Sequence, residues 1–237
     1  MRISLFSALL ILWGNLLHPL IGATALLPGG SWAFVVAGAA LVAVSLVAAR
    51  ALGLDASRLG VRRAGAVRAV VIGLLAGGAI ALLDVALIRL APAILGAPIV
   101  YTPLLQVTPE DLALHVTLFL PLGAVIPEEI AFRGTLLGAL LRSGDVRRAV
   151  AGSALTFALW HATVAIATVF NTQLPEVLII PAIAGALVVV FVGGVVMATL
   201  RLVTGALSTS IAAHWAFNAV ILVGLWSAQP RVAYLTT

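Results

Sequence analysis

Six polar residues stand inside long apolar stretches of this chain: Glu128, Glu129 and Arg133 in one, His161 in a second, His214 and Asn218 in a third. An ionisable side chain placed in a membrane costs a few kcal/mol and usually faces a protein interior or a water-filled cavity. Together the six fit hydrolysis of an amide. A carboxylate and an imidazole can hold a water between them, and the carboxylate can take its proton as general base. A second imidazole and an asparagine can donate hydrogen bonds to the developing oxyanion, a contribution of ~3–4 kcal/mol per donor. Glu129 and Arg133 are four residues apart, as are His214 and Asn218, so each pair shares one helix face. Glu128 points ~100° away from Glu129 around the same axis and need not bind the same thing. Arg133 can hold Glu129 ionised.

The elements that must position these residues are membrane helices. The chain is 63% hydrophobic and 9% charged, against ~25% charged in a soluble domain, and its mean hydropathy is +1.23. A bilayer core of ~30 Å needs ~20 apolar residues per helix. Seven segments approach that length, at about 3–26, 32–49, 69–92, 112–141, 149–170, 177–200 and 205–228. Continuous apolar runs without alternation exclude a barrel. The expected fold is an all-α, polytopic transmembrane bundle of seven to eight helices, with residues 1–237 forming one membrane domain. The fourth segment runs ~30 residues, or ~45 Å if helical, longer than the bilayer core. Pro121 and Pro127 interrupt it, and Pro127 either kinks the helix or starts a new one. The second case makes an eighth helix, with Glu128 and Glu129 at its N-terminus.

All 13 basic residues are Arg, and with abundant Ala, Val, Leu and Gly this reads as GC-rich bacterial coding. Arg2, Arg50, Arg58, Arg62, Arg63, Arg68, Arg142, Arg147, Arg148 and Arg201 fall on one side of seven alternating helices, whereas Arg89 and Arg231 fall on the other. By the positive-inside rule the N-terminus is cytoplasmic and the C-terminus outside, in a multi-pass protein of the cell membrane. Because these arginines flank the spans rather than forming one basic face, a nucleic-acid partner is excluded. The chain has no Cys, so disulfides, thiol nucleophiles and Cys-ligated zinc are excluded as well. The first segment is read as retained, although Ala23-Thr24-Ala25 has the form of a signal-cleavage site.

Depth brings the motifs together. At ~1.5 Å per residue, His161 lies ~20 Å from Arg148 and His214 ~13–14 Å from Gly205, both measured from the cytoplasmic ends of their helices. Glu128 is a similar distance from Arg142. One cavity opening toward the cytoplasm can hold all three motifs. Phe157, Trp160 and Trp215 are expected to pack around it, while Asn15, His18, Asp84 and His115 match no motif and read as local hydrogen-bonding or interfacial residues. Gly73/Gly77 and Gly134/Gly138 read as close helix-packing pairs.

The ordered trio Glu128-Glu129-x-x-x-Arg133, Phe157-x-x-x-His161 and His214-x-x-x-Asn218 resembles the CAAX protease and bacteriocin-processing (CPBP, or Abi) family, which includes the Ras-converting endopeptidase of eukaryotes. The resemblance covers about residues 110–228. It implies an intramembrane endopeptidase of glutamate type acting on membrane-embedded or membrane-associated peptides or proteins. Glu128 and His161 would activate the water, His214 and Asn218 would form the oxyanion site, and Glu129 with Arg133 would support them. Relatives labelled metalloproteases raise a zinc alternative, held by Glu128, His161 and His214. The chain has no HExxH and Asn is a poor zinc ligand, so the expectation is a site without metal or other cofactor. Two rival readings are a non-catalytic immunity or scaffolding protein that keeps the site geometry, and a proton-coupled transporter. The transporter should show internal hydropathy symmetry, which is not seen.

Overall fold

The computed structural model describes residues 2–21, 28–62, 64–96 and 99–229; Ala23-Thr24-Ala25, Arg63, Arg231 and the side chain of His18 lie outside what it describes. Among the described residues, eight helices run in chain order: α1 (Ile3–Ile21), α2 (Pro28–Ala51), α3 (Ala66–Leu95), α4 (Pro109–Ser143), α5 (Val146–Trp160), α6 (Ala162–Phe170), α7 (Ile179–Thr204) and α8 (Leu207–Ala228). The expected all-helical polytopic bundle is what the chain forms. Among the described residues, five helices are long and apolar enough to cross a membrane alone, and α5 with α6, bent by 46°, makes a sixth crossing if the pair is one span. The seven expected segments all recur as helices. The first differs in kind: its described apolar stretch, Ile3–Leu17, is shorter than the other spans.

Glycine spacing decides which helices touch. A Cβ at Gly73 would run into the Thr209 carbonyl, and one at Gly77 into that of Ala213. Gly224 in turn receives the Val85 side chain. As numbers rise along α3 they rise along α8, so the two helices pack parallel with their backbones close, as small residues allow in a membrane. The pairing Gly73/Gly77 is therefore the expected helix-packing device. Gly138 serves differently, fitting against the Arg58 carbonyl in the loop after α2.

The Arg-rich segment after α2 gathers one end of the bundle. Arg142 donates to the Leu52 carbonyl, Arg201 to that of Arg58, and the Leu207 N–H to that of Gly60. Three of the arginines expected on one side, Arg58, Arg142 and Arg201, thus meet at one end. At the opposite end, Trp226 Nε1 donates to the Val107 carbonyl (2.8 Å), the Tyr101 N–H donates to the Gln229 side chain (2.9 Å), and Tyr101 pairs with Thr172 in an isolated bridge.

α4 is the irregular element. It is continuous from Pro109 to Ser143, ~50 Å at 1.5 Å per residue, and it widens into π turns at His115–Phe119, Pro121–Val125 and Ile130–Leu136. Pro127 has no N–H and crowds the preceding turn; wide turns absorb that mismatch without breaking the helix. Residues 125, 126, 129 and 130 are all right-handed helical. Pro127 therefore does not start a new helix, and the glutamate pair lies mid-helix. The eighth helix arises elsewhere, from the break at His161 between α5 and α6. α2 covers the irregular stretch of α4: Gly38 sits where a Cβ would meet the Leu122 and Gly123 carbonyls, each at 2.8 Å, and Pro127 Cγ at 2.9 Å.

Candidate active site

Glu128 and Glu129 leave α4 in different directions and reach different surroundings. Glu129 and Arg133 are both fully buried, and their Oε1 and guanidinium lie 3.0 Å apart. His214 Nδ1 on α8 meets the same Oε1 at 3.0 Å. One carboxylate thus ties two helices and two cationic or donor groups together. Phe157 on α5 closes the cluster: its ring lies 4.0 Å below the Arg133 guanidinium carbon. It also makes edge contacts with Phe132, His161 and His214 at centroid distances of 4.9, 4.4 and 5.9 Å. A cation over a ring in a desolvated place gains ~2 kcal/mol, so Phe157 is a structural member of the cluster rather than mere filling.

Glu128 faces the other way, onto a cavity of about 650 Å³ that His161, His214 and Asn218 also line. The Glu128 Oε2–His161 Nε2 separation is 3.8 Å, and both side chains keep some exposure (11% and 17%). That gap is too long for a direct hydrogen bond and suits a shared water. The tautomer of His161 follows from its other nitrogen. Nδ1 lies 2.8 Å from the Phe157 carbonyl, which can only accept, so Nδ1 carries the hydrogen. A neutral ring then offers the lone pair of Nε2 toward Glu128. Asn218, one turn beyond His214, makes no hydrogen bond among the described residues and keeps its amide free toward the cavity.

His161 owes its position to a break in the helix. With φ −88° and ψ 7° it ends α5 and precedes α6, leaving backbone groups on both sides short of helical partners. Asn15 on α1 supplies them. Its Nδ2 donates to the Leu159 carbonyl (2.8 Å), while its Oδ1 accepts from the Thr163 N–H (2.9 Å) and the Thr163 hydroxyl (2.8 Å). Gly14 lies against Trp160, so closely that a Cβ would overlap the indole. Asn15 was expected to be a local hydrogen-bonding residue, and its Nδ2 does donate to the Ile11 carbonyl (2.8 Å); it is also a splint across the break beside the site histidine. The one sequence signal for it is an amide within an apolar span.

The six sequence-selected residues come together around one cavity, either lining it or tying the residues that do. His115 and Asp84, assigned to no motif, line the same cavity. Among the described residues no three His, Cys, Asp or Glu side chains are disposed to hold a metal, and His214 already presents Nδ1 to Glu129.

Comparison with known proteins adds one positive finding. Residues 110–220 match the family model described as Type II CAAX prenyl endopeptidase Rce1-like. The matched stretch contains all six site residues, and it bears out the resemblance read from the three motifs. No curated protein and no solved structure matches the chain.

Proposed function

We propose that this chain, whose residues 110–220 match the Rce1-like CAAX prenyl endopeptidase family model, is an intramembrane endopeptidase whose nucleophile is a water held between Glu128 and His161. The observation that carries this reading is the 3.8 Å gap between Glu128 Oε2 and His161 Nε2 at the wall of the cavity. Both groups accept, so a water in the gap donates one hydrogen to each and keeps its lone pairs for a carbonyl carbon. Glu128 takes a proton as the water oxygen bonds to that carbon. The carbonyl oxygen becomes an oxyanion, and the Asn218 amide is free to donate to it. His214, with Nδ1–H given to Glu129, can donate from Nε2 when the ring carries both hydrogens. Glu128 then returns its proton to the amide nitrogen as the C–N bond breaks. Glu129 and Arg133 touch no reacting atom in this scheme; they position His214.

No step passes through a metal, so treatment with a zinc chelator should leave the cleavage rate unchanged. The end of the bundle where Arg58, Arg142 and Arg201 gather is the cytoplasmic end, by the positive-inside rule, and the protein is a multi-pass protein of the cell membrane. Its substrates are membrane-embedded or membrane-associated peptides. The test is direct: a library of proteome-derived peptides incubated with reconstituted protein should be cut by the wild type and left intact by His161→Ala. Cutting by His161→Ala at the wild-type rate would refute the assignment.

A further inference from the structure

Asp84 is a second carboxylate on the wall of the active-site cavity, and neither the hydrolytic scheme nor the three motifs use it. It lies on α3 deep within an apolar span. Among the described residues it makes no hydrogen bond or ion pair. The nearest cation along its helix, Arg89, donates to Ser227 on α8 (2.7 Å). No arginine lines the cavity, and Arg133, buried behind the site, pairs with Glu129. Glu128 and Asp84 therefore give one mostly apolar cavity two carboxylates, neither of them in an ion pair with a guanidinium among the described residues. An intramembrane ionisable residue with no structural partner points to a functional one.

The register of α3 against α8 fixes how far Asp84 lies from the reaction. Gly77 is level with Ala213, and Val85 with Gly224, so His214 is about level with residue 77 or 78 and Asn218 with Ala81. Asp84 is thus three residues past Asn218 and six or seven past His214. At 1.5 Å per residue this is ~5 Å and ~10 Å along the helix, away from the Arg-rich end. Ile80, one turn earlier, lines the same cavity. An extended peptide advances ~3.3 Å per residue, so a substrate chain lying along α3 passes Asp84 about two residues from a bond level with Asn218 and about three from one level with His214.

We infer that Asp84 is a specificity-determining residue that receives a cationic group of the substrate, a Lys or Arg side chain or an amino terminus, two or three residues from the scissile bond. This rests on the proteolytic reading, and the two can be tested apart. In the cleavage arm, proteome-derived peptides are digested with reconstituted wild-type, Asp84→Asn and Asp84→Glu protein. Wild-type cuts should be enriched about tenfold in Lys or Arg at that spacing; Asp84→Asn should flatten the enrichment and Asp84→Glu keep it. Cuts without basic enrichment, or enrichment that survives in Asp84→Asn, overturn the inference and leave the protease standing. The second arm needs no turnover. Dansylated apolar peptides with a single Lys or norleucine are titrated onto Glu128→Ala protein. The Lys peptide should bind about tenfold more tightly, and the added Asp84→Asn substitution should erase that difference. Equal binding of the two peptides to Glu128→Ala overturns the inference even if no peptide is ever cut. Because Asp84 holds no partner among the described residues, Asp84→Asn should unfold at the wild-type temperature, which separates lost recognition from lost structure.

Discussion

Glu128 and Glu129 are chain neighbours with opposite surroundings. Glu129 is fully buried and shares one oxygen between Arg133 and His214. Glu128 looks into the cavity across a gap from an imidazole that cannot quite reach it. A helix with 3.6 residues per turn separates adjacent side chains by ~100°, and that rotation alone divides the labour. One carboxylate ties α4 to α8, and the other faces the cavity, where the proposed reading has it react. The comparison teaches that a doubled acidic motif need not be a paired-acid site; one member can exist to fix the partners of the other.

The sharpest way to break this comparison is to remove each carboxylate in turn. Glu128→Ala should lower cleavage ~10³-fold or more, in line with loss of a general base, with little change in thermal unfolding. Glu129→Ala should instead destabilise by ~3–5 kcal/mol, because Arg133 stays buried without its anion; thermal unfolding and the yield of folded protein would report it. The double variant Glu129→Gln with Arg133→Met removes both charges and should recover most of that stability while activity stays low. Failure to recover would mean that the pair is not the reason for the loss.

Smaller effects sharpen the same contrast. Asn218→Ala removes a donor that makes no other hydrogen bond among the described residues, so kcat should fall ~10²–10³-fold with KM and stability nearly unchanged. Asn15→Leu leaves the Thr163 N–H and the Leu159 carbonyl short of a partner at the helix break. It should cost ~1–3 kcal/mol and lower activity through His161, since Asn15 touches no substrate. An unfolding temperature equal to wild type would show that the break holds itself.

Much of this was legible in the amino-acid sequence because the membrane makes polar residues conspicuous. Glu128, Glu129, Arg133, His161, His214 and Asn218 stood out against apolar runs, and helical periodicity correctly separated Glu128 from Glu129. The helix count was less legible. Pro127 drew attention as a possible helix start, yet wide turns carry α4 past it. The break falls at His161, in a stretch with no proline or glycine between Thr156 and Phe170. The side chain that bonds across it, Asn15, is more than a hundred residues away, and no local pattern can reveal a partner supplied by tertiary contact. The role of Phe157 beneath Arg133 was hidden for the same reason.

The central claim is that Glu128 cuts and Glu129 holds. The measurement that tests it most directly is a comparison of protein N-termini in membranes carrying wild-type, Glu128→Ala or vector alone. The account predicts a set of new N-termini present only with wild type, while Glu128→Ala accumulates in the membrane to the same level and matches the vector control. The same new N-termini in Glu128→Ala membranes would contradict it.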